Sequence, residues 1–97
     1  MIETLRRARA IIAKPEKFCT GWLAQDANGN AVHLSAPHAK RYCLLGACLK
    51  ASPDFVFPRY LEEAFFEGNV AVFTDRYGQV PVLRALDDAI EYLELTR

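Results

Sequence analysis

The chain of 97 residues sets twelve Lys and Arg against twelve Asp and Glu, so its formal charge is zero and it lacks the basic surface that general nucleic-acid binding requires. Hydrophobic residues make up 52%, well outside the composition of disordered segments, and the length suits one domain over residues 1–97. No apolar run approaches the roughly 20 residues of a membrane span, and Glu3, Arg6 and Arg7 interrupt the start before any signal-peptide core.

Ile2, Leu5, Ala8 and Ile12 repeat at helical spacing, which predicts a first helix over about residues 2 to 13, stopped by Pro15. Residues 1 to 17 hold five basic and two acidic side chains, whereas residues 82 to 97 hold two basic and four acidic ones. The first and last helices are therefore expected to lie close, with weakly attracting polar faces. Thr20 to Gln25 and Ala31 to Leu34 flank Asp26-Ala27-Asn28-Gly29-Asn30, a cluster of turn formers that signals a β-hairpin. Two strands alone are marginal in water, so Trp22 or Leu23 is expected to pack the hairpin onto helices.

Ser35 as a cap and Pro37 in a first turn open a central helix expected to run to about Ala51. Ala39, Tyr42, Cys43, Gly46 and Leu49 share one face of it, widened by Leu45 and Cys48. Gly46 costs such a helix roughly 1 kcal/mol against Ala, which implies that another backbone passes close by. Pro53 and Pro58 bracket a connection, and Arg59 to Glu67 forms a short helix ended by Gly68 and Asn69. Val70 to Phe73 reads as a third strand or a buried connector. Pro81 then precedes Val82, Leu83, Leu86, Ala89, Ile90 and Leu93, the clearest amphipathic stripe, for a last helix over about Val80 to Leu95. The class is α+β and mainly helical: about four helices around a central helix containing Cys and Gly, with a small β-hairpin after the first.

Three segments carry a resemblance: the turn region Trp22 to Val32, the helical Tyr42-Cys43-Leu44-Leu45-Gly46-Ala47, and the final Val82-Leu83-Arg84-Ala85-Leu86-Asp87-Asp88-Ala89-Ile90. In order and spacing the chain resembles a small domain family of unknown function found in bacterial and phage-related proteins. Where that family usually has an aromatic-Asn-Asp triplet, this chain has Phe73-Thr74-Asp75. The resemblance implies packed helices with a hairpin and supplies no activity, cofactor or substrate.

Cys43, with His33 and His38 nearby in sequence, offers the residue types of a Cys-His nucleophile pair. On an apolar face, however, a free cysteine acts as a small hydrophobe and its thiolate is suppressed. Cys19, Cys43 and Cys48 are odd in number, which fits reduced thiols and a cytoplasmic protein. No Cys-x2-Cys or His-x3-His pair begins a zinc site, Cys43 and Cys48 would point about 140° apart on a helix, and isolated Asn28-Gly29 and Tyr77-Gly78 turns are not phosphate cradles, so no metal and no cofactor is expected. Asp87, Asp88, Glu91 and Glu94 read as a solvated face. Asp75, before Arg76-Tyr77-Gly78, reads as a binder of loop amides and as a weaker ligand candidate together with Cys43.

Phe55, Phe57, Tyr60, Phe65 and Phe66 fall within twelve residues, more than a small core readily buries. Phe55, Phe57 and Tyr60 are therefore the candidate contact surface for a protein partner or a second copy. The expected function is a non-catalytic protein-protein interaction or regulatory domain, with a phage-type inhibitor of a host system as one concrete form. The alternative is a small enzyme or ligand-binding domain centred on Asp75 and Cys43. A buried cleft joining those two residues favours the alternative, and an exposed aromatic patch favours the interaction domain.

Overall fold

Helix α1 (Ile2–Ile12) turns Leu5, Ala8 and Ile12 inward at the predicted spacing and leaves Arg6 and Arg7 in solvent. The computed structural model describes all 97 residues. After a 3-10 turn at Pro15–Lys17, the chain runs extended through Phe18 and Cys19 into strand β1 (Ala24–Gln25). That strand pairs antiparallel with β2 (Arg41–Tyr42), setting Ala24 opposite Tyr42 and Gln25 opposite Arg41.

The fold is mainly helical with a small antiparallel strand pair, as read from the sequence, but the second strand is not Ala31 to Leu34. The Asp26 turn does form: its Oδ1 accepts from the backbone N–H of Asn28 and of Asn30, each at 2.9 Å. Those bonds hold the Asp26 carboxyl below its ordinary range. Beyond the turn, pairing shrinks to one bridge between Gln25 and Ala31. His33 then bonds Ser35, both through their side chains at 2.6 Å and from the Ser35 N–H at 3.1 Å, and the chain doubles back before pairing at Arg41. Ser35 and Pro37 therefore lie in turns, and Tyr42 belongs to a strand.

Helix α2 (Leu44–Ala51) begins later than its hydrophobic pattern suggests because Cys43 caps it, the Cys43 Sγ accepting from Gly46 N–H at 3.3 Å. Its residues Leu44, Ala47 and Cys48 are buried against α1. Helix α3 (Arg59–Phe65) ends where Glu67 and Gly68 take φ of 54° and 95°. The Val70 to Phe73 run, expected as a strand or connector, opens helix α4 (Val70–Tyr77). Two preceding side chains satisfy its first amides: Glu62 Oε2 accepts from Val70 N–H at 2.9 Å, and Asn69 Oδ1 accepts from Val72 N–H at 3.0 Å.

Helix α5 (Gln79–Thr96) buries Val82, Ala85, Leu86, Ala89 and Ile90 and packs on α1, α3 and α4. Asp87 and Glu94 lie on the solvated face expected of them and from there reach across to α1. Arg9 donates twice to Asp87, and Arg6 meets Glu94 at 3.1 Å. The Asp87 bonds hold the Arg9 guanidinium protonated even more firmly than usual. Gln79 Nε2 also donates to the carbonyls of Ile12 and Ala13, at 2.9 and 3.2 Å, and so completes the C-terminal end of α1. No helix is long and apolar enough to cross a membrane.

Candidate functional site: a pinned tryptophan ledge beside a cleft

Gly21, Trp22 and Leu23 form a ledge ahead of β1, and each is fastened to a different part of the chain. Gly21, at φ +82°, donates its N–H to Asp75 Oδ1 of α4 at 2.8 Å. The Cys19 thiol donates to the Trp22 carbonyl at 3.6 Å, and Cys43 N–H reaches the Leu23 carbonyl at 3.4 Å. That last carbonyl rests on the first turn of α2. A Cβ added at Gly46 would stand 1.9 Å from the Leu23 oxygen, so only glycine lets the two backbones meet. The close crossing expected at Gly46 is present, and the ledge is what crosses.

Neither the Trp22 nor the Leu23 side chain is buried against the helices, as expected of one of them: the residues are 58% and 40% exposed, Leu23 meets α2 through its backbone, and the buried residue beside them is Ala24. Between the ledge and α4 lies a cleft of about 260 Å³. The ledge forms one wall, Ala71, Thr74 and Asp75 of α4 contribute another, and Cys43 and Leu45 come from the start of α2. On the other side of Trp22 and Leu23 a second apolar cleft of about 250 Å³ runs along Ala31, Val32 and Leu34. The two side chains thus make a ridge with a hollow on each flank.

The weak ligand candidates Cys43 and Asp75 therefore share one cleft, although 32 positions apart in a chain read only by pattern. Their chemistry differs from a nucleophile and its base. Burial pushes the Cys43 thiol up, outweighing the Gly46 and Leu45 amides that favour its charged form. Neither His33 nor His38 lines this cleft. Cys19 is pushed up to about 11 and Cys48 to about 12, burial being the main cause in each. All three cysteines are free, and no group of three or more His, Cys, Asp or Glu stands together as a metal site. Asp75 does bond a loop amide, as expected of it.

The candidate contact residues Phe55, Phe57 and Tyr60 are not brought together on the surface. Phe57 is 7% exposed and belongs to the core, Phe55 is half-buried against it, and Tyr60 is 54% exposed. Three of the five rings join a relay of contacts: Phe55 on Phe57 at 5.5 Å, Phe57 on Phe66 at 5.2 Å and Phe66 on Phe73 at 5.4 Å, all edge-to-face, and then Phe73 on Tyr77, tilted, at 4.7 Å; Phe65 packs instead on Tyr92 at 5.7 Å. Edge-to-face packing accommodates successive rings that a count along the sequence makes look surplus. Sequence reasoning missed Ala71 and Thr74 because α4 was not read as a helix, and it placed Trp22 or Leu23 inward. The signal that was available is the lone Trp beside a turn, next to a glycine able to take positive φ.

A family model matches residues 1–94 of the chain, described as a family of unknown function (DUF6197). Neither curated proteins nor solved structures gave a match. With nearly the whole chain covered, the protein belongs to this family of unknown function, in keeping with the resemblance carried by its turn and helix motifs.

Proposed function

We propose that this member of the family is a non-catalytic protein-interaction domain of the cytosol whose contact surface is the Trp22–Leu23 ridge with its flanking hollows. The observation that carries the reading is a tryptophan whose backbone is fixed at three successive residues while its side chain stands in solvent. Tryptophan is the side-chain type most enriched among residues that dominate binding energy, and fixing it beforehand lowers the ordering cost of association. Three buried free thiols accord with a reducing compartment. An inhibitor of a host system, as the resemblance to phage-related proteins suggests, is one concrete form of such a domain.

The cleft joining Cys43 and Asp75 is the observation in favour of the alternative, a small enzyme or ligand-binding domain. The thiol there is kept protonated by burial and its sulfur is occupied by an amide, so the cleft is built to bind rather than to attack.

The test compares the wild type with Trp22→Ala. Truncating an exposed side chain should change stability by no more than about 0.5 kcal/mol. Affinity capture from native-host lysate, alongside sedimentation of the purified protein for self-association, should show a partner or a dimer that the variant loses. Equal association by the two proteins would place the contact surface elsewhere.

A further inference from the structure

We infer that the cleft between Trp22 and Asp75 takes an arginine side chain of the protein that the ridge binds. This rests on the interaction reading above and gives the partner its chemistry. The cleft, at about 260 Å³, falls below the roughly 300–1,000 Å³ of pockets that enclose drug-sized molecules, and suits a single long side chain.

Its charge selects which one. Asp75 is the one charged side chain lining the cleft. Its Oδ1 is taken by Gly21 N–H, while Oδ2 has no hydrogen bond and the carboxylate has no salt bridge. The adjacent Arg76 faces Glu67 instead, at 3.9 Å. Thr74 is buried and spends its hydroxyl proton on the Val70 carbonyl at 2.7 Å, so it holds no donor out to the cleft. The free carboxylate oxygen of Asp75 is thus the acceptor the cleft presents, and to it an anionic ligand brings no donor and adds repulsion.

A guanidinium supplies donors only, and its plane can lie on the exposed indole while one edge meets the carboxylate. The methylene stem then runs along Leu45 and Ala71, the apolar part of the lining. Lysine shares the charge but not the flat face, which is why the geometry points to arginine.

The probe is Nα-acetyl-arginine amide, titrated into 15N-labelled protein, with Nα-acetyl-norleucine amide as the uncharged counterpart. Arginine amide should shift the signals of Gly21, Ala71, Asp75 and the Trp22 indole, and should bind more tightly than norleucine amide. Asp75→Asn keeps an oxygen for Gly21 N–H but loses the charge, and should weaken arginine binding about tenfold, as expected for loss of a charge-assisted hydrogen bond. Equal binding of the two amides by the wild type would overturn the inference without recourse to any variant. So would undiminished arginine binding by a folded Asp75→Asn, or no shift at these residues up to the solubility of the probe. Each of these results leaves Trp22-dependent capture as a separate readout, so loss of the arginine claim is distinguishable from loss of the contact surface.

Discussion

At Gly46 one hydrogen in place of a methyl group decides whether the ledge can seat on α2. Alanine is the better helix residue by about 1 kcal/mol, yet its Cβ would lie 1.9 Å from the Leu23 oxygen and 2.8 Å from the Leu23 carbonyl carbon. Neither atom is the free end of a flexible side chain, so the backbone must move. Gly46→Ala should destabilise the protein by about 1–3 kcal/mol, read as a lower denaturant midpoint with unchanged slope. A midpoint equal to or above the wild type would contradict the crossing. Cys48, fully buried, makes a prediction in pH. Its proton is held to about 12 in the native state against an ordinary value of 9.0, so the folded chain binds that proton more tightly than the unfolded chain. This contribution is complete below pH 9, and stability should then fall progressively as the pH rises from 9 towards 12. Cys48→Ala should flatten that slope in denaturant titrations across the alkaline range. Cys19 and Cys43, raised in the same direction, should preserve the sign of what remains.

At the scale of elements, α4 shows how local bonding overrules a β-branched pattern. Val70 and Val72 favour strand, but Asn69 and Glu62 receive the amides of these same two residues, and the Thr74 hydroxyl bonds back to Val70 within the turn that follows. Asn69→Ala should cost about 1 kcal/mol, the usual price of a lost cap. Because α4 carries Asp75, which holds Gly21, the same substitution should increase hydrogen exchange at the Gly21 amide. Unchanged protection there would show that the ledge does not depend on the start of α4. The helices α1 and α5 were legible from apolar spacing, and α3 from the bracketing Pro58 and the stop at Gly68. The onset of α2 was not, since a cysteine acting as a cap leaves no pattern distinct from a cysteine inside the helix.

For the whole molecule, opposite charge at the two ends of the sequence was enough to place α1 beside α5, and Arg6 and Arg9 do meet Glu94 and Asp87. The candidate site was legible only in part. Cys43 and Asp75 were singled out for their chemistry, but the cleft that joins them depends on Leu23 crossing Gly46 and on α4 being helical, neither of which hydrophobic periodicity records. The aromatic-rich stretch misled for a related reason, because the partners that bury Phe57 and Phe66 include Phe73 of a different element, which a count of rings within one stretch does not register. The Gln79 contact has a further consequence in time. The last carbonyls of α1 wait for a side chain 67 residues further along, at the start of the final helix. Closing so long a loop costs entropy before any contact rewards it, which defers this seam to a late stage of folding. A nascent chain emerging from the ribosome would have α2 to lay against α1 but would leave the part of α1 that α5 covers open until α5 arrives, which gives synthesis a window for self-association that the finished fold closes.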